Sequence, residues 1–244
     1  MNILVTGGAG FIGSHLVEEL VRQGFSVRAF VMYNSFNSWG WLDHCAPDVK
    51  GKFEVFPGDI RDPHGVKVAM QGCDSVLHLA ALIAIPYSYH SPDTYIDTNI
   101  KGTLNVLQAA RDFNISKVLV TSTSEVYGMC EDAEFDPAQS TMVYGPINKP
   151  RWIYACSKQL MDRVIWGYGM EGLRFTLFRP FNWIGPGLDS IYTPKEGSSR
   201  VVTQFLGHIV RGESINVVDG GAQKRAFTYI DDGIDALMRI IANE

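Results

Sequence analysis

The sequence predicts an α/β fold, a doubly wound parallel sheet with helices on both faces. Short apolar runs rich in β-branched residues recur along the chain, and segments with helical spacing separate them. A glycine-rich turn lies between the first of these runs and the first helical segment. Polar residues follow several runs directly, at the strand ends where ligands bind in sheets of this kind.

Composition limits the classes of function that the chain can have. Its 244 residues are enough for one large α/β domain with a small appendage. The net charge of −5 is spread along the chain, so we predict no nucleic-acid partner. No apolar run is as long as a membrane span and no signal peptide is visible, so we predict no membrane contact and a cytoplasmic location. The four cysteines are far apart, which favours buried thiols over a zinc site or disulfides, and we predict no metal.

The first predicted strand, residues 3–5, leads into the glycine turn. Three glycines are spaced three apart, and residues 15–21 then show helical spacing. Glycines let the backbone approach a pyrophosphate, and the first turn of a helix offers free N–H groups and a positive dipole end. An ordinary structural turn is the alternative. The predicted cofactor-binding residues in this segment are Gly7, Gly10, Phe11, Ile12 and Gly13.

The second predicted strand, residues 26–31, does not end in the acidic residue that often binds the ribose of NAD. Residues 31–33 are Val, Met and Tyr, and no clear arginine follows to bind a 2′-phosphate, so NAD and NADP both remain open. Residues 34–43 form either a loop around the adenosine or a surface loop. A third strand, residues 53–56, precedes Asp59, and capping of the next helix by Asp59 or Asp62 is the simplest role for these acids.

The fourth predicted strand, residues 75–79, ends in Leu79, Ala80 and Ala81, whose alanines would let a cofactor lie across the strand ends. His78 lies within this apolar strand, so we predict a hydrogen-bonded core histidine rather than a catalyst. Residues 92–112 are predicted to form one long helix, with Ile96 on its apolar face and Asn99 within it. The fifth and sixth strands are predicted at residues 118–120 and 175–178.

Tyr154 and Lys158 are four residues apart and therefore share one face of a helix. The positive charge of the lysine favours the phenolate and should lower the pKa of the tyrosine. The phenolate could then accept a proton from a sugar hydroxyl as hydride leaves the same carbon. A surface pair is the alternative.

Thr123 is predicted to end the fifth strand, where its hydroxyl could bind the reacting oxygen. Glu125 would share its side if the strand continued, and could then assist proton loss or decarboxylation after oxidation. Capping of the following turn is the alternative role for Glu125.

These segments resemble known families. The segment TGGAGFIGSHLVEEL resembles the extended short-chain dehydrogenase/reductases, an NAD-dependent epimerase/dehydratase family. Residues 121–244, with TSTSEVYG, NKPRW, FRPFNWIGPGLD and GSSRVVTQF, resemble the UDP-glucuronate decarboxylases, in particular the bacterial decarboxylase domain of the aminoarabinose lipid A pathway. Residues 1–128 look more like the sugar-nucleotide 4,6-dehydratases of nonulosonate pathways, and a recombined chain is one hypothesis for this mismatch.

The resemblance implies a Rossmann domain at residues 1–180 and a partial substrate-binding lobe at residues 181–244, since relatives continue further. It implies NAD as cofactor, with NADP not excluded, a UDP-sugar substrate, a role in lipopolysaccharide biosynthesis, and a homodimer through the helices at residues 92–112 and 154–167. Asp59 and Ile60 would contact the adenine, and Asn99 would hold active-site backbone. The implied catalytic residues are Thr123, Glu125, Tyr154 and Lys158, and the implied substrate-binding residues are Tyr87, Ser124, Asn182 and Arg225.

A UDP-glucuronate decarboxylase is therefore the leading expectation. A sugar-nucleotide 4,6-dehydratase or 4-epimerase is the alternative within the same superfamily. Dehydratases commonly carry an aspartate where this chain has Ser124, which counts against dehydration. A non-catalytic NAD(P)-binding protein is the alternative of another class.

Overall fold

The structure is a computed structural model that describes residues 1–192 and 200–243. It consists of two compact units, Met1–Pro180 and Phe181–Glu244. The first three residues of the GSSRVVTQF motif, 197–199, lie outside the described residues. Within the described ranges no helix is long and apolar enough to cross a membrane, and no group of three or more His, Cys, Asp or Glu side chains could hold a metal ion.

A six-stranded parallel sheet forms the centre of the first unit. The strands lie in the order β3-β2-β1-β4-β5-β6, which is the order of the Rossmann fold and confirms the predicted fold class. The strands are β1 Asn2–Thr6, β2 Ser26–Met32, β3 Glu54–Gly58, β4 Ser75–His78, β5 Lys117–Thr121 and β6 Phe175–Phe178.

Helices connect these strands and bury both faces of the sheet. On one face, Leu4 of β1 belongs to a core cluster with Val66, Met70 and Val106, all at most 1% exposed. Ile3 and Val5 are equally buried and point to the opposite face, because side chains alternate along a strand. The helices of this unit are α1 Phe11–Arg22, α2 Pro63–Met70, α3 Ile85–His90, α4 Pro92–Tyr95, α5 Gly102–Asp112 and α6 Trp152–Met170.

The predicted helix at residues 92–112 is interrupted. A π-helical turn, Ile96–Lys101, separates α4 from α5. Such a turn changes the register of the side chains, because its hydrogen bonds join residues five apart instead of four. Ile96, predicted on the apolar face, is 43% exposed, and Asn99 within the turn is fully buried.

The second unit contains a two-stranded parallel sheet and two helices. Strand β7, Asn182–Ile184, pairs with β8, Phe227–Tyr229. Helix α7 spans Val201–Arg211, and α8 spans Ile230–Ala242. Trp183 packs closely on Gly233 of α8, where a Cβ atom would overlap the indole ring.

The cysteines are less buried than predicted. Only Cys45 is buried, Cys73 and Cys130 are partly covered, and Cys156 is exposed on α6. All four are free thiols. Cys156 is exposed because it lies on the outer face of a helix whose inner face carries Tyr154 and Lys158.

Candidate active site

The glycine turn closes tightly between β1 and α1. Gly7 has φ +72°, and a Cβ there would lie 2.8 Å from the backbone nitrogen of Ala80. A Cβ on Gly13 would overlap the carbonyl oxygen of Gly7. Among the described residues no side chain caps α1 at Gly10, so the N–H groups of its first turn remain available for an anion. This arrangement fits a pyrophosphate at the helix N-terminus, with Phe11 and Ile12 in the first turn.

The two aspartates after β3 have different surroundings. Asp62 caps α2 and accepts hydrogen bonds from the backbone nitrogens of His64 and Gly65 at 3.0 and 3.1 Å. Asp59 pairs with Arg61, whose guanidinium lowers the pKa of the carboxyl group. The capping alternative therefore applies to Asp62, and the adenine contact of Asp59 stays a prediction.

Ile60 follows β3 and packs against the first residue of α5, Gly102. It is buried, and a Cβ on Gly102 would lie 2.9 Å from its Cγ2 atom. The small residue at position 102 therefore allows the helix to approach Ile60 closely.

His78 ends β4 one residue earlier than predicted, so Leu79 lies beyond the strand. Its Nδ1 and Nε2 atoms are 2.7 and 2.9 Å from the hydroxyl oxygens of Thr6 and Thr103, as expected for a core histidine. Burial, aided by the charge of Lys158, lowers its pKa to about 3, so the ring is neutral at working pH. The hydroxyl of Thr6 also accepts from the Ala80 nitrogen, and Ala81 follows.

Asn99 clamps the backbone that follows these alanines. Its Oδ1 atom accepts from the nitrogen of Leu82 at 2.8 Å, and its Nδ2 atom donates to the Leu82 oxygen at 3.0 Å. Nδ2 also donates to Ser157 Oγ at 3.3 Å, and that hydroxyl donates to the carbonyl oxygen of Tyr154. The side chain therefore connects the backbone after β4 to α6.

Replacing Asn99 with leucine should lower the free energy of unfolding by about 2–4 kcal/mol, because the two partly buried backbone groups of Leu82 lose their partners and the fully buried amide is removed. Urea denaturation measures this loss. Asn105→Leu is the control, since Asn105 is only partly buried and donates one hydrogen bond, to Ile60 O. The control should lose about 1 kcal/mol. Equal losses in the two variants would contradict the clamp.

Helix α6 brings Tyr154 and Lys158 into the interior, 6% and 3% exposed. Lys158 Nζ donates to the carbonyl oxygen of Thr121 at 2.9 Å. The side chain of Tyr154 shares a hydrogen bond with that of Thr123, and the ring of Tyr95 lies edge-on at 6.3 Å. Thr123, Tyr154 and Lys158 therefore form one buried cluster at the end of β5.

Burial, and not the charge of Lys158, determines the direction in which the pKa of the Tyr154 phenol changes. Loss of solvent raises the pKa of Tyr154 to about 12, against which the hydrogen bond from Thr123 acts. The same loss of solvent lowers the pKa of Lys158 to about 8. The prediction of a lowered tyrosine pKa is therefore wrong for the chain without bound cofactor. Burial disfavours the charged forms of both Tyr154 and Lys158.

The backbone after β5 does not continue as a strand. β5 ends at Thr121, and Thr123 caps a short 3₁₀ turn, Ser124–Tyr127, by accepting from the nitrogen of Glu125 at 3.2 Å. The predictions that Thr123 ends the strand and that Glu125 shares its side by strand alternation are therefore wrong. The turn itself, capped by Thr123, keeps the two residues adjacent.

Glu125 pairs with Arg151, which the sequence reasoning did not single out. Arg151 Nη2 lies 3.0 Å from Glu125 Oε2, and both side chains are partly exposed. The guanidinium also lies 5.0 Å from the ring of Trp152. The signal was present in the NKPRW segment, where Arg151 stands three residues before Tyr154 at the start of α6.

The predicted substrate-binding residues are divided between the units. In the first unit, Tyr87 is half exposed on α3, and the nitrogen of Ser124 donates to the oxygen of Pro180 at 3.2 Å. In the second unit, Asn182 donates to the oxygen of Ala226, and the exposed Arg225 donates to Lys224 O and Gln223 Oε1. Their roles toward a substrate stay predictions.

Three solved structures are similar to the whole of this chain. The PbgP3 protein from Burkholderia pseudomallei is 53% identical, with a TM-score of 0.84 over 100% of this chain and 71% of that one. A double mutant of DesIV, the dTDP-glucose 4,6-dehydratase of Streptomyces venezuelae, with NAD and DAU bound, is 28% identical, with a TM-score of 0.82 over 100% and 72%. MoeE5 in complex with UDP-glucuronic acid and NAD is 27% identical, with a TM-score of 0.79 over 100% and 73%.

The similarity to PbgP3 from end to end gives no support to the hypothesis of a recombined chain. A family model described as the NAD dependent epimerase/dehydratase family matches residues 3–244. The glycine turn, the order of the sheet and the buried Thr–Tyr–Lys cluster agree with that match. The chain therefore belongs to the NAD dependent epimerase/dehydratase family.

Proposed function

We propose that this chain binds NAD and a UDP-sugar and that it is a UDP-glucuronate decarboxylase. The observation that carries the proposal is the buried cluster of Thr123, Tyr154 and Lys158 at the carboxyl end of β5. Strands β1, β4 and β5 are neighbours, so the glycine turn after β1 lies at the same edge of the sheet as this cluster. Ligands bind at that edge in folds of this type.

The glycine turn supports NAD as the cofactor. Gly7 and Gly13 allow the close approach that a pyrophosphate needs, and the first turn of α1 offers its N–H groups. Two of the similar structures hold NAD. Arg61, the cation that follows β3, is already paired with Asp59. This pairing favours NAD over NADP, because NADP needs a cation for its 2′-phosphate. Bound NAD would supply the hydride acceptor.

In this proposal Tyr154 is the base for the hydroxyl at C4 of the sugar. It would take the hydroxyl proton as the C4 hydrogen leaves as hydride, and Thr123 would bind the same oxygen. Lys158 would stabilise the phenolate by its charge from inside the helix. The high pKa of Tyr154 in the chain alone means that this proton transfer needs the positive charge of Lys158 and of the bound cofactor.

Oxidation at C4 of glucuronate makes the ketone β to the C6 carboxylate. The bond between C5 and C6 then breaks, CO2 leaves, and the electron pair moves to the C4 oxygen as an enolate, which is later protonated at C5. Glu125 lies beside this cluster, paired with Arg151. A substrate carboxylate could replace Glu125 on the guanidinium, which would free Glu125 for proton transfer.

Incubation with UDP-glucuronate and NAD tests the reaction directly. We expect one CO2 for each UDP-4-keto-pentose when NADH is released, or for each UDP-pentose when the same NADH returns its hydride to C4, measured by trapped radioactive CO2 and by mass spectrometry. Saturating NAD and substrate without any CO2 would exclude decarboxylation.

The same assay separates the alternatives. A 4-keto-6-deoxy product from a hexose nucleotide would indicate a 4,6-dehydratase, as DesIV is, and a C4 epimer would indicate an epimerase. Ser124, where dehydratases commonly carry an acid, favours the decarboxylase. NAD binding without turnover of any sugar nucleotide would indicate a non-catalytic protein.

Replacing Glu125 with glutamine should separate oxidation from loss of CO2. If Glu125 acts after oxidation, NADH still forms, while CO2 release slows by roughly 10²-fold. Single-turnover absorbance at 340 nm and trapped CO2 measure the two steps. Glu131→Gln, at an exposed glutamate, is the control. An equal fall in both steps would show that Glu125 acts before oxidation.

We also propose that the chain forms a homodimer through the π-helical turn and α6. Ile96 and Leu160 expose apolar side chains on these two segments, which pack against each other. We expect a dimer by light scattering, and Leu160→Glu should give a monomer with unchanged secondary structure. A monomeric wild-type chain at micromolar concentration would contradict the proposal. The cytoplasmic location and the role in lipopolysaccharide biosynthesis stay predictions.

A further inference from the structure

The interior of the first unit contains an ion pair that the proposed reaction does not use. Asp162 lies one turn after Lys158 on α6 and is 4% exposed. Its Oδ2 atom accepts from Arg179 Nη2 at 3.0 Å and from Nε at 3.2 Å. Arg179 follows β6, and its Nη1 atom donates to the hydroxyl of Tyr127 at 2.9 Å.

Two side chains in this region that ordinarily carry a charge are buried away from solvent. Among the residues that the structure describes, Lys158 and Asp162 are the only buried side chains that ordinarily carry a charge. Residues four apart on a helix lie on the same face. A buried charge without a partner is costly, so a cation and an anion placed together in this way compensate each other.

One oxygen of Asp162 remains unused by Arg179. Asp162 Oδ1 and Ser122 Oγ are both buried, and neither makes a hydrogen bond of good geometry within the described part of the chain, although the Ser122 hydroxyl is close enough to favour the charged carboxylate. Arg179 therefore holds the carboxylate by one oxygen and leaves the other without a cation in direct contact. Lys158 is the nearest buried cation on the same helix face.

We propose that Asp162 is the buried counter-ion of Lys158, held in place by Arg179 and Tyr127, and that it keeps the lysine ammonium charged beside Tyr154. Asp162 is then a positioning residue that acts through Lys158. The proposed pairing rests on the burial of both groups on one face of α6, and its consequence for proton transfer rests on the proposed function.

The pKa values agree with this arrangement. Burial lowers the pKa of Lys158 to about 8, and the charge of Asp162 opposes that change. Burial raises the pKa of Asp162, and the Ser122 hydroxyl, then Arg179 and lastly Lys158, oppose that change. The other titratable or charged groups that face this cluster are His78 from β4, Tyr95 from α4, Glu125 and Tyr127 from the 3₁₀ turn, Tyr144 from the following loop, and Tyr154 on α6 itself.

Direct titration of Lys158 tests the pairing without any turnover. Lysine labelled with 13C at Cε is followed by NMR against pH, and Lys158→Met assigns the signal. In the wild-type chain we expect a midpoint near 8, well below the roughly 10.4 of exposed lysines. In Asp162→Asn the midpoint should fall by about one further unit, a tenfold change in the protonation equilibrium.

The opposite change is expected when the competing cation is removed. In Arg179→Met the carboxylate is left to Lys158 alone, so the midpoint of Lys158 should rise. If the ion pair between Asp162 and Arg179 had only a structural role, both variants would be less stable. The titration midpoint of Lys158 would then not move in opposite directions in the two variants. Circular dichroism confirms that each variant is folded.

Two further variants serve as controls in case a single variant does not fold. Asp162→Glu keeps the charge and should leave the midpoint within about half a unit of the wild type. Asp162→Asn combined with Arg179→Met removes the ion pair between these two side chains, so the guanidinium is not left without its carboxylate, and it should still show a Lys158 midpoint below that of Arg179→Met. An unchanged midpoint in Asp162→Asn, or shifts of the same sign in the two single variants, would overturn the proposal.

The pH profile of turnover tests whether the charge of Lys158 matters for the reaction. If Lys158 must be charged, the alkaline limb of CO2 release should move to lower pH in Asp162→Asn and to higher pH in Arg179→Met. A chain that shows the NMR shifts but releases no CO2 from any sugar nucleotide would contradict the proposed function and leave the counter-ion intact. Active variants whose profile does not move would overturn the role of Asp162 in the reaction.

Discussion

Tyr154→Phe is expected to reduce turnover by about 10³-fold or more while changing NAD affinity little. The substitution removes only the phenolic oxygen, which is the proposed base and the atom that Thr123 binds. General-base catalysis by a placed side chain contributes roughly 10²–10⁴-fold. The measurement is CO2 release from UDP-glucuronate, with NAD affinity from quenching of tryptophan fluorescence.

Tyr89→Phe is the matched control, because it removes the same oxygen from a partly exposed ring on α3. It should leave both quantities unchanged. A parallel loss of turnover and NAD affinity in Tyr154→Phe would show that the tyrosine is structural. Turnover within tenfold of the wild type would show that another group is the base.

Gly13→Ala should disrupt the glycine turn. The added Cβ would overlap the carbonyl oxygen of Gly7, both at the backbone, so neither side can yield by rotating a side chain. Overpacking of this kind costs about 1–3 kcal/mol of unfolding free energy. If the same strain distorts the phosphate site, NAD affinity should fall by roughly ten- to a hundredfold. Urea denaturation and fluorescence titration with NAD measure the two effects.

Gly167→Ala is the control for this substitution. Gly167 is also within a helix, α6, but no atom lies within 4 Å of the position its Cβ would take. Alanine there should stabilise the chain by about 0.5–1 kcal/mol and leave NAD affinity unchanged. Undiminished NAD affinity in Gly13→Ala would separate the glycine turn from the cofactor site.

Local sequence patterns predicted the sheet correctly because buried parallel strands are read from short apolar runs. The runs at Ile3–Val5 and at Val118–Val120 each appear as the centre of a strand one residue longer at both ends. The role of His78 followed for the same reason, since an imidazole in an apolar strand must find partners there. The parallel, doubly wound arrangement followed from the glycine turn and the alternation of strands and helices.

The detail of the candidate site was harder to predict, because it depends on contacts between distant parts of the chain. Asn99 is fully buried within the π-helical turn, and the regular helical periodicity of residues 92–112 did not predict that turn. Glu125 meets Arg151 across 26 residues, and Asp162 meets Arg179 across 17. No periodicity within one element indicates such pairs.

By itself the sequence determined the Rossmann sheet, the glycine turn and the presence of Tyr154 and Lys158 on one helix face, since these depend on residues close together in the chain. Only the tertiary structure decided how those groups are charged. Burial of Tyr154, Lys158 and Asp162 in one place removes the water that would stabilise their ionised forms, so their pKa values follow from desolvation and from partners brought in by other strands.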